Sequence, residues 1–362
     1  MRVIRVNLKK RSYNIIVGFR LIKSLPLVLR KLKLGTCAYV ITNAAIKKRC
    51  GGLISKTLKG NNFSVKFKLI PDSESGKSIA VASGVIKDLI RYDKRGRVFI
   101  IALGGGVVGD LSGFVASIYK RGIAYVQIPT TLLAQVDSSI GGKTAVDLAE
   151  GKNLVGAFYQ PRLVLSDIAL LKTLKQKQVK SGLAEVIKYA VIKNPQLFAY
   201  LEKDYRDILN LKVSALEFIV SRCAAIKAKI VQQDELEVKG LRTVLNFGHT
   251  IGHAIEAAQG YKGYTHGGAV GLGMLVACGI SRELGMLSAE TFRRIENLIR
   301  RAGLPLKIKG VSLNRIIKAH YRDKKFSGRR NKFVLIRGIG KTKIVENIPL
   351  SIIKKSLLKR IA

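Results

Sequence analysis

Cysteine, proline and acid are all scarce in this 362-residue chain, and each scarcity excludes something. The four cysteines (Cys37, Cys50, Cys223, Cys278) form no CxxC pair and no dense spacing, which argues against a disulfide framework and for a reducing compartment, the cytoplasm. Seven prolines beside 35 glycines exclude a collagen-like or low-complexity chain and suit the turns of an α/β protein. No window holds ~18 uninterrupted apolar residues, so no membrane span is expected; the longest candidate, residues 267–280, is short and glycine-rich. The opening stretch MRVIRVNLKKRSYNIIVG has no apolar h-region and no small-residue cleavage site, and no signal peptide is expected. Internal repeats, RNA-recognition aromatics, zinc-finger spacings and a zipper behind a basic region are all missing.

The shortage of acid leaves 65 Lys+Arg against 23 Asp+Glu, a formal net charge of +42. Its distribution is uneven. Residues 301–362 carry 18 Lys/Arg and two acids, whereas residues 101–150 carry three bases and four acids. The excess avoids the stretch richest in glycine motifs, and reads as a basic surface over a globular protein rather than a specific nucleic-acid site. A polyanion-binding protein is the alternative outside enzymes.

With 48% hydrophobic residues there is ample material for a core, and the length suits two domains. Residues 37–42 (CAYVIT), 63–70 (FSVKFKLI), 98–103 (VFIIAL) and 125–128 predict strands, and 77–89 (KSIAVASGVIKDL) has helical spacing. From about residue 175 the period turns helical, apart from a hairpin expected in NKFVLIRGIGKTKIVENIP. The expected organisation is an α/β nucleotide-binding domain with a mostly parallel sheet over residues 1–175, followed by an all-helical domain over 176–362.

Three motifs carry chemistry. Gly104–Asp110 (GGGVVGD) follows an apolar strand directly and fits G-x-G-x-x-G, where glycines admit a phosphate to the backbone and the helix start offers N–H donors. Residues 137–144 (DSSIGGKT) and 151–153 (GKN) set Lys143 and Lys152 beside glycine-rich loops, an arrangement suited to phosphate or carboxylate. Three of the four histidines fall within 18 residues. His249 and His253 share a helix face, which makes them plausible metal ligands, and Glu185 could complete a three-ligand site with an open position. The bland alternative for Glu185 is a surface ion pair with Lys188 three residues on. These residues alone point to a metal- and nucleotide-dependent enzyme acting on an anionic small molecule.

GGGVVGDLSGFVAS, RGIAYVQIPTTLLAQVDSSIGGKTAVD, GKNLVGAFYQP, GLAEVIKYAVI and LNFGHTIGHAIEA, in this order, closely resemble the 3-dehydroquinate synthase family of sugar phosphate cyclases. The resemblance runs from RSYNIIVG to VLIRGIGK, nearly the whole chain. It implies a cytoplasmic lyase, an NAD-binding α/β domain, a helical domain holding zinc or cobalt, and a homodimer without specific nucleic-acid or membrane partners. The implied reaction converts 3-deoxy-arabino-heptulosonate 7-phosphate to 3-dehydroquinate and phosphate, in the shikimate pathway to aromatic amino acids. NAD is oxidant and then reductant within one turnover, around a phosphate elimination and before an intramolecular aldol closure. Another sugar-phosphate cyclase or a polyol dehydrogenase is the alternative.

By motif position the implied metal ligands are Glu185, His249 and His266, with His253 on the substrate side. NAD contacts are implied for Asn43, Asp72, Glu74, Lys77, Gly105, Gly106, Val107, Val108, Gly109, Asp110, Thr130, Thr131, Lys143, Lys152, Leu170 and Thr173. Substrate-binding and catalytic positions are matched by Lys143, Asn153, Lys188, Lys227, Arg242, Asn246, His253 and Lys332. Asp137 matches a residue near the sugar hydroxyls, and Arg121 one supplied across the dimer. Departures from the family pattern are Gly268 where a Glu is usual, and Lys175 and Gln178 where Pro and Glu are usual.

Overall fold

The computed structural model describes residues 1–93, 97–322 and 331–362. These form two compact units, Met1–Leu174 with Leu216–Leu236, and Lys175–Ala215 with Glu237–Ala362.

In the first unit the strands are β1 (Arg2–Val6), β2 (Tyr13–Gly18), β3 (Cys37–Thr42), β4 (Ser64–Leu69), β5 (Val98–Gly104), β6 (Tyr125–Pro129), β7 (Lys143–Leu148), β8 (Gly151–Phe158) and β9 (Leu163–Asp167). Seven of them make one sheet in the order β1-β2-β9-β6-β5-β3-β4. β1 runs antiparallel to β2, and the other neighbours are parallel, as the alternation of apolar runs and helices implied. Strand β5 is buried throughout. Phe99, Ile101 and Leu103 pack on one face with Leu25, Leu29, Ile54 and Leu58; Ile100 and Ala102 pack on the other with Val85, Leu89, Leu111 and Val115. Each such large side chain contributes about 1.5–3 kcal/mol by leaving water, so both faces hold the sheet.

Two features depart from the sequence reading. The glycine- and lysine-rich stretch read as loops is a hairpin: β7 and β8 pair antiparallel, with Lys143 opposite Phe158. The expected boundary at 175/176 gives each domain one unbroken segment, whereas contacts return Leu216–Leu236 to the first unit. The ties are specific: the Asn7 amide donates to Gln232 Oε1 (2.7 Å), and Arg11 pairs with Glu235 (2.7 Å). Lys227 pairs with Asp137 at 2.7 Å. Periodicity reports that this segment is helical, not what it packs against.

The second unit is helical apart from the expected hairpin, β10 (Lys332–Gly338) with β11 (Lys341–Glu346). Its helices include Gln176–Lys193, His249–Ala258 and His266–Glu283. The last two pack backbone to backbone. A Cβ on Gly273 would lie 1.9 Å from the Gly248 carbonyl oxygen, so only glycine admits this approach. Gly248 itself sits at φ +79°, a left-handed conformation that favours glycine at the entry to the His249 helix.

Candidate metal and nucleotide sites

In the second unit the Gln176–Lys193 helix is buried from Ser181 to Ile192, so Glu185 and Lys188 lie inside the protein at 0% and 1% exposure. Their ammonium and carboxylate are in direct contact. A surface pair is therefore overturned: three residues apart on a helix, both face the core. A buried pair of this kind is costly to desolvate and is weak evidence for a purely stabilising role.

Glu185 meets two histidines. His249 opens one helix and His266 the other, and their Nε2 atoms stand 3.4 and 3.6 Å from Glu185 Oε1. One donor from each of the three residues falls within 4.8 Å of the others. His249 Nδ1 faces the Phe247 carbonyl oxygen at 3.2 Å, which leaves Nε2 directed at Glu185. Burial, reinforced by the Lys188 ammonium, holds the His249 imidazole well below its ordinary pKa, hence neutral. Burial also pulls His266 down, but hydrogen bonds to Glu185 and Glu256 outweigh it and raise that imidazole to about 10. The cluster thus collects a positive charge, the proton on His266, among two imidazoles and a carboxylate. That donor set suits zinc or cobalt, and such an ion would take the proton's place.

The pairing of His249 with His253 expected from spacing is looser. The two rings touch edge to face at 5.3 Å, but the grouping that includes His253 is with Glu256 and His266. Glu256 is the residue that sequence reasoning missed. It stands seven positions after His249, on the same face, and this spacing was the available signal. Arg242 is buried and Asn246 half-buried in the short Leu241–Asn246 helix just before His249. Lys332 is exposed and pairs across the hairpin with Glu346 (3.2 Å), with no contact to the histidine cluster among those described.

In the first unit β5 ends at Gly104, and Gly105 caps the Gly106–Ile118 helix, the arrangement that G-x-G-x-x-G requires. A Cβ on Gly109 would lie 2.8 Å from the Gln127 side chain, which explains that glycine as packing of helix on sheet. Val107, Val108 and Asp110 continue the same helix. Lys77, 4% exposed, pairs with Asp110 (2.6 Å) and donates to Asn153 Oδ1. The Asn153 amide donates to Asp147 Oδ1 (2.8 Å), holding Asn153 at φ +57°. Lys152 pairs with Glu74 (3.1 Å), and Asn43 donates to Asp72. Eight residues scattered between positions 43 and 153 are thereby joined in three groups of partners.

Thr130 follows β6, its amide held by the Gly104 carbonyl, and the Thr131 hydroxyl accepts from the Ala134 amide. Leu170 and Thr173 lie on the 3₁₀ turn Ile168–Thr173. Lys143 opens β7, exposed, and Arg121 is exposed at φ +63°. Lys227 donates to both the side chain (2.7 Å) and the carbonyl (2.9 Å) of Asp137.

Removing Lys77 strands Asp110. Lys77→Met is expected to lower stability by about 3 kcal/mol, the low end of the range for breaking a buried pair, because Asp110 is partly exposed. Lys77→Met/Asp110→Asn should recover much of that loss in urea unfolding.

Comparison with known proteins bears on the family and fold of the chain. Residues 67–181 match the family model described as 3-dehydroquinate synthase N-terminal, and residues 182–326 match 3-dehydroquinate synthase C-terminal. The chain is 43% identical over 344 residues to a 3-dehydroquinate synthase of Thermoanaerobacter pseudethanolicus, covering 95% of this chain and 96% of the relative. It is 46% identical over 348 residues to that of Pelotomaculum thermopropionicum, covering 96% and 93%. Among solved structures, 2-deoxy-scyllo-inosose synthase with carbaglucose-6-phosphate, NAD+ and Co2+ superposes at a TM-score of 0.91, with 25% identity, over 99% of this chain and all of that one. The 2-epi-5-epi-valiolone synthase of Streptomyces hygroscopicus, with NAD+ and Zn2+, gives 0.89 and 27% over 98% of each.

Proposed function

The chain belongs to the 3-dehydroquinate synthase family, and from that premise we propose that it converts 3-deoxy-arabino-heptulosonate 7-phosphate to 3-dehydroquinate and phosphate. It is an enzyme, a lyase of aromatic biosynthesis dependent on NAD and a divalent metal. The observation that carries the reading is the convergence of His249 and His266 on the buried Glu185, within a chain whose similarity to these synthases covers 95% of its length.

When bound, the metal acidifies a substrate hydroxyl and the nicotinamide takes up and later returns a hydride. The residues do the rest. Lys188, locked against Glu185, offers a buried cation to an anionic oxygen. Arg242, Asn246, Lys227, Lys143, Asn153 and Lys332 are assigned to the carboxylate, phosphate and hydroxyls of the substrate, where fixed cations hold a multiply charged molecule in one pose. Asp137, restrained by Lys227, is assigned to a sugar hydroxyl. His253, one turn after His249 on the same helix and with its ring beside those of His249 and His266, is assigned to the phosphate. Asn43, Asp72, Glu74, Lys77, Gly105–Asp110, Thr130, Thr131, Lys143, Lys152, Leu170 and Thr173 are assigned to the dinucleotide.

A homodimer is proposed, with Arg121 of each copy serving the other, and the cytoplasm as the compartment, in keeping with four free cysteines. No helix among the described residues is long and apolar enough to cross a membrane.

Purified protein incubated with the heptulosonate phosphate and NAD, with and without Zn2+, should release phosphate and dehydroquinate in equal amounts, dependent on metal, without net NADH. Accumulating NADH would instead indicate a dehydrogenase. Turnover of another sugar phosphate alone would indicate a different cyclase.

A further inference from the structure

We infer that Glu256 is the positioning residue of the metal site, holding the His266 ring and supplying the negative charge that the three ligands lack. This rests on the metal site proposed above.

Two observations carry it. The first is geometric. His249 and His266 both point Nε2 at Glu185, and each ring is turned that way by something behind it. Behind His249 is the Phe247 backbone carbonyl at 3.2 Å; behind His266 Nδ1 is Glu256 Oε1 at 3.4 Å. An imidazole can rotate about its side-chain bonds, so an acceptor at Nδ1 fixes which nitrogen carries the proton and which faces the metal. Glu256 is also on the other helix, His249–Ala258, while His266 is the first residue of the next. The contact therefore braces one ligand-bearing helix against the other.

The second observation is electrostatic. Glu185 is already paired with Lys188, so the carboxylate and ammonium cancel. Two neutral imidazoles add nothing, and a dication placed there would be left with its full charge in a buried position. Glu256, whose side chain is 14% exposed, contributes a further negative charge through the ring of His266. A carboxylate behind an imidazole makes the opposite nitrogen a stronger donor than a backbone carbonyl does. The two histidines are consequently unequal ligands, with His266 the stronger.

Glu256→Gln tests this, because the amide oxygen can still accept from Nδ1 but the charge is gone, making His266 resemble His249. Zinc affinity, read by competition with a chelator, should fall roughly 10–100-fold. The visible absorption of the Co2+-loaded variant should differ from that of the parent, while the metal-free melting temperature falls only by the loss of the Glu256–His266 ion pair. Glu256→Asp, which keeps the charge, should retain more of the affinity than the Gln variant. Equal zinc affinity in Glu256→Gln and the parent overturns the inference and leaves the metal site intact. Two ions bound per parent chain and one in Glu256→Gln also overturns it, since Glu256 would then ligate a second cation with His253 and His266. No metal bound by the parent overturns the site itself, and the inference with it.

Discussion

Glu185→Gln should reduce turnover by about 10³-fold or more, with metal content falling in parallel. The change keeps the volume and removes only the charge. Its effect is large because two things fail at once. The site loses its anionic ligand, and a lost metal removes several kcal/mol of transition-state stabilisation, where about 1.4 kcal/mol is tenfold in rate. Lys188, 1% exposed, loses its partner as well. Breaking a buried ion pair by removing one partner costs about 3–5 kcal/mol of stability. The two effects separate in a double variant: Glu185→Gln/Lys188→Met should regain stability in urea but neither metal nor turnover. Phosphate release, bound zinc and the unfolding midpoint measured on the same preparations decide the matter. A single variant that kept normal zinc and normal turnover would remove Glu185 from the site.

Gly273→Ala is expected to be the most damaging change away from the charged cluster. The added methyl would meet the Gly248 carbonyl oxygen at 1.9 Å and the Gly252 amide nitrogen at 2.8 Å, both backbone atoms that no rotamer change can move. Overpacking of this kind costs typically 1–3 kcal/mol, and the upper end, about 3 kcal/mol, is expected here. Relief would push the His249–Ala258 helix outward and carry His249 from Glu185, so zinc affinity should fall too. Gly271→Ala is the control on the same helix. Its Cβ would find ordinary contacts, the nearest Leu304 Cδ1 at 3.6 Å, and alanine is the better helix former. That variant should match or exceed the parent in stability by roughly 0.5 kcal/mol.

The contrast between these two glycines shows what the sequence could convey. Apolar runs such as VFIIAL sufficed to expect β5, because a strand buried on both faces must be apolar at every position. The helical period was equally visible in Gln176–Lys193. Lys143 and Lys152, by contrast, sit among glycines that signal turns, and their hairpin depends on pairing partners that local propensity does not name. The pair Glu185–Lys188 has the spacing of countless surface pairs; only the apolar residues surrounding it, now seen packed on every side, make it buried. Glu256 was overlooked for a related reason. Its neighbour His266 lies ten residues on, in another helix, and nothing but the approach of the two helices brings them to 3.4 Å. The motif resemblance named Glu185, His249 and His266 as candidate ligands without showing what steadies their side chains.

The make-up of the metal cluster has a last consequence, in redox terms. Its donors are imidazole nitrogens and a carboxylate oxygen, none of which peroxide readily oxidises under conditions that convert a thiolate ligand to sulfenic acid. The one cysteine on the His266 helix, Cys278, is fully buried, and burial pushes its thiol up to about 12, so it stays protonated and unreactive. A zinc site built on cysteines releases its metal when the surroundings turn oxidising. An ion held as proposed, by Glu185, His249 and His266 alone, would have no ligand that such an episode readily oxidises.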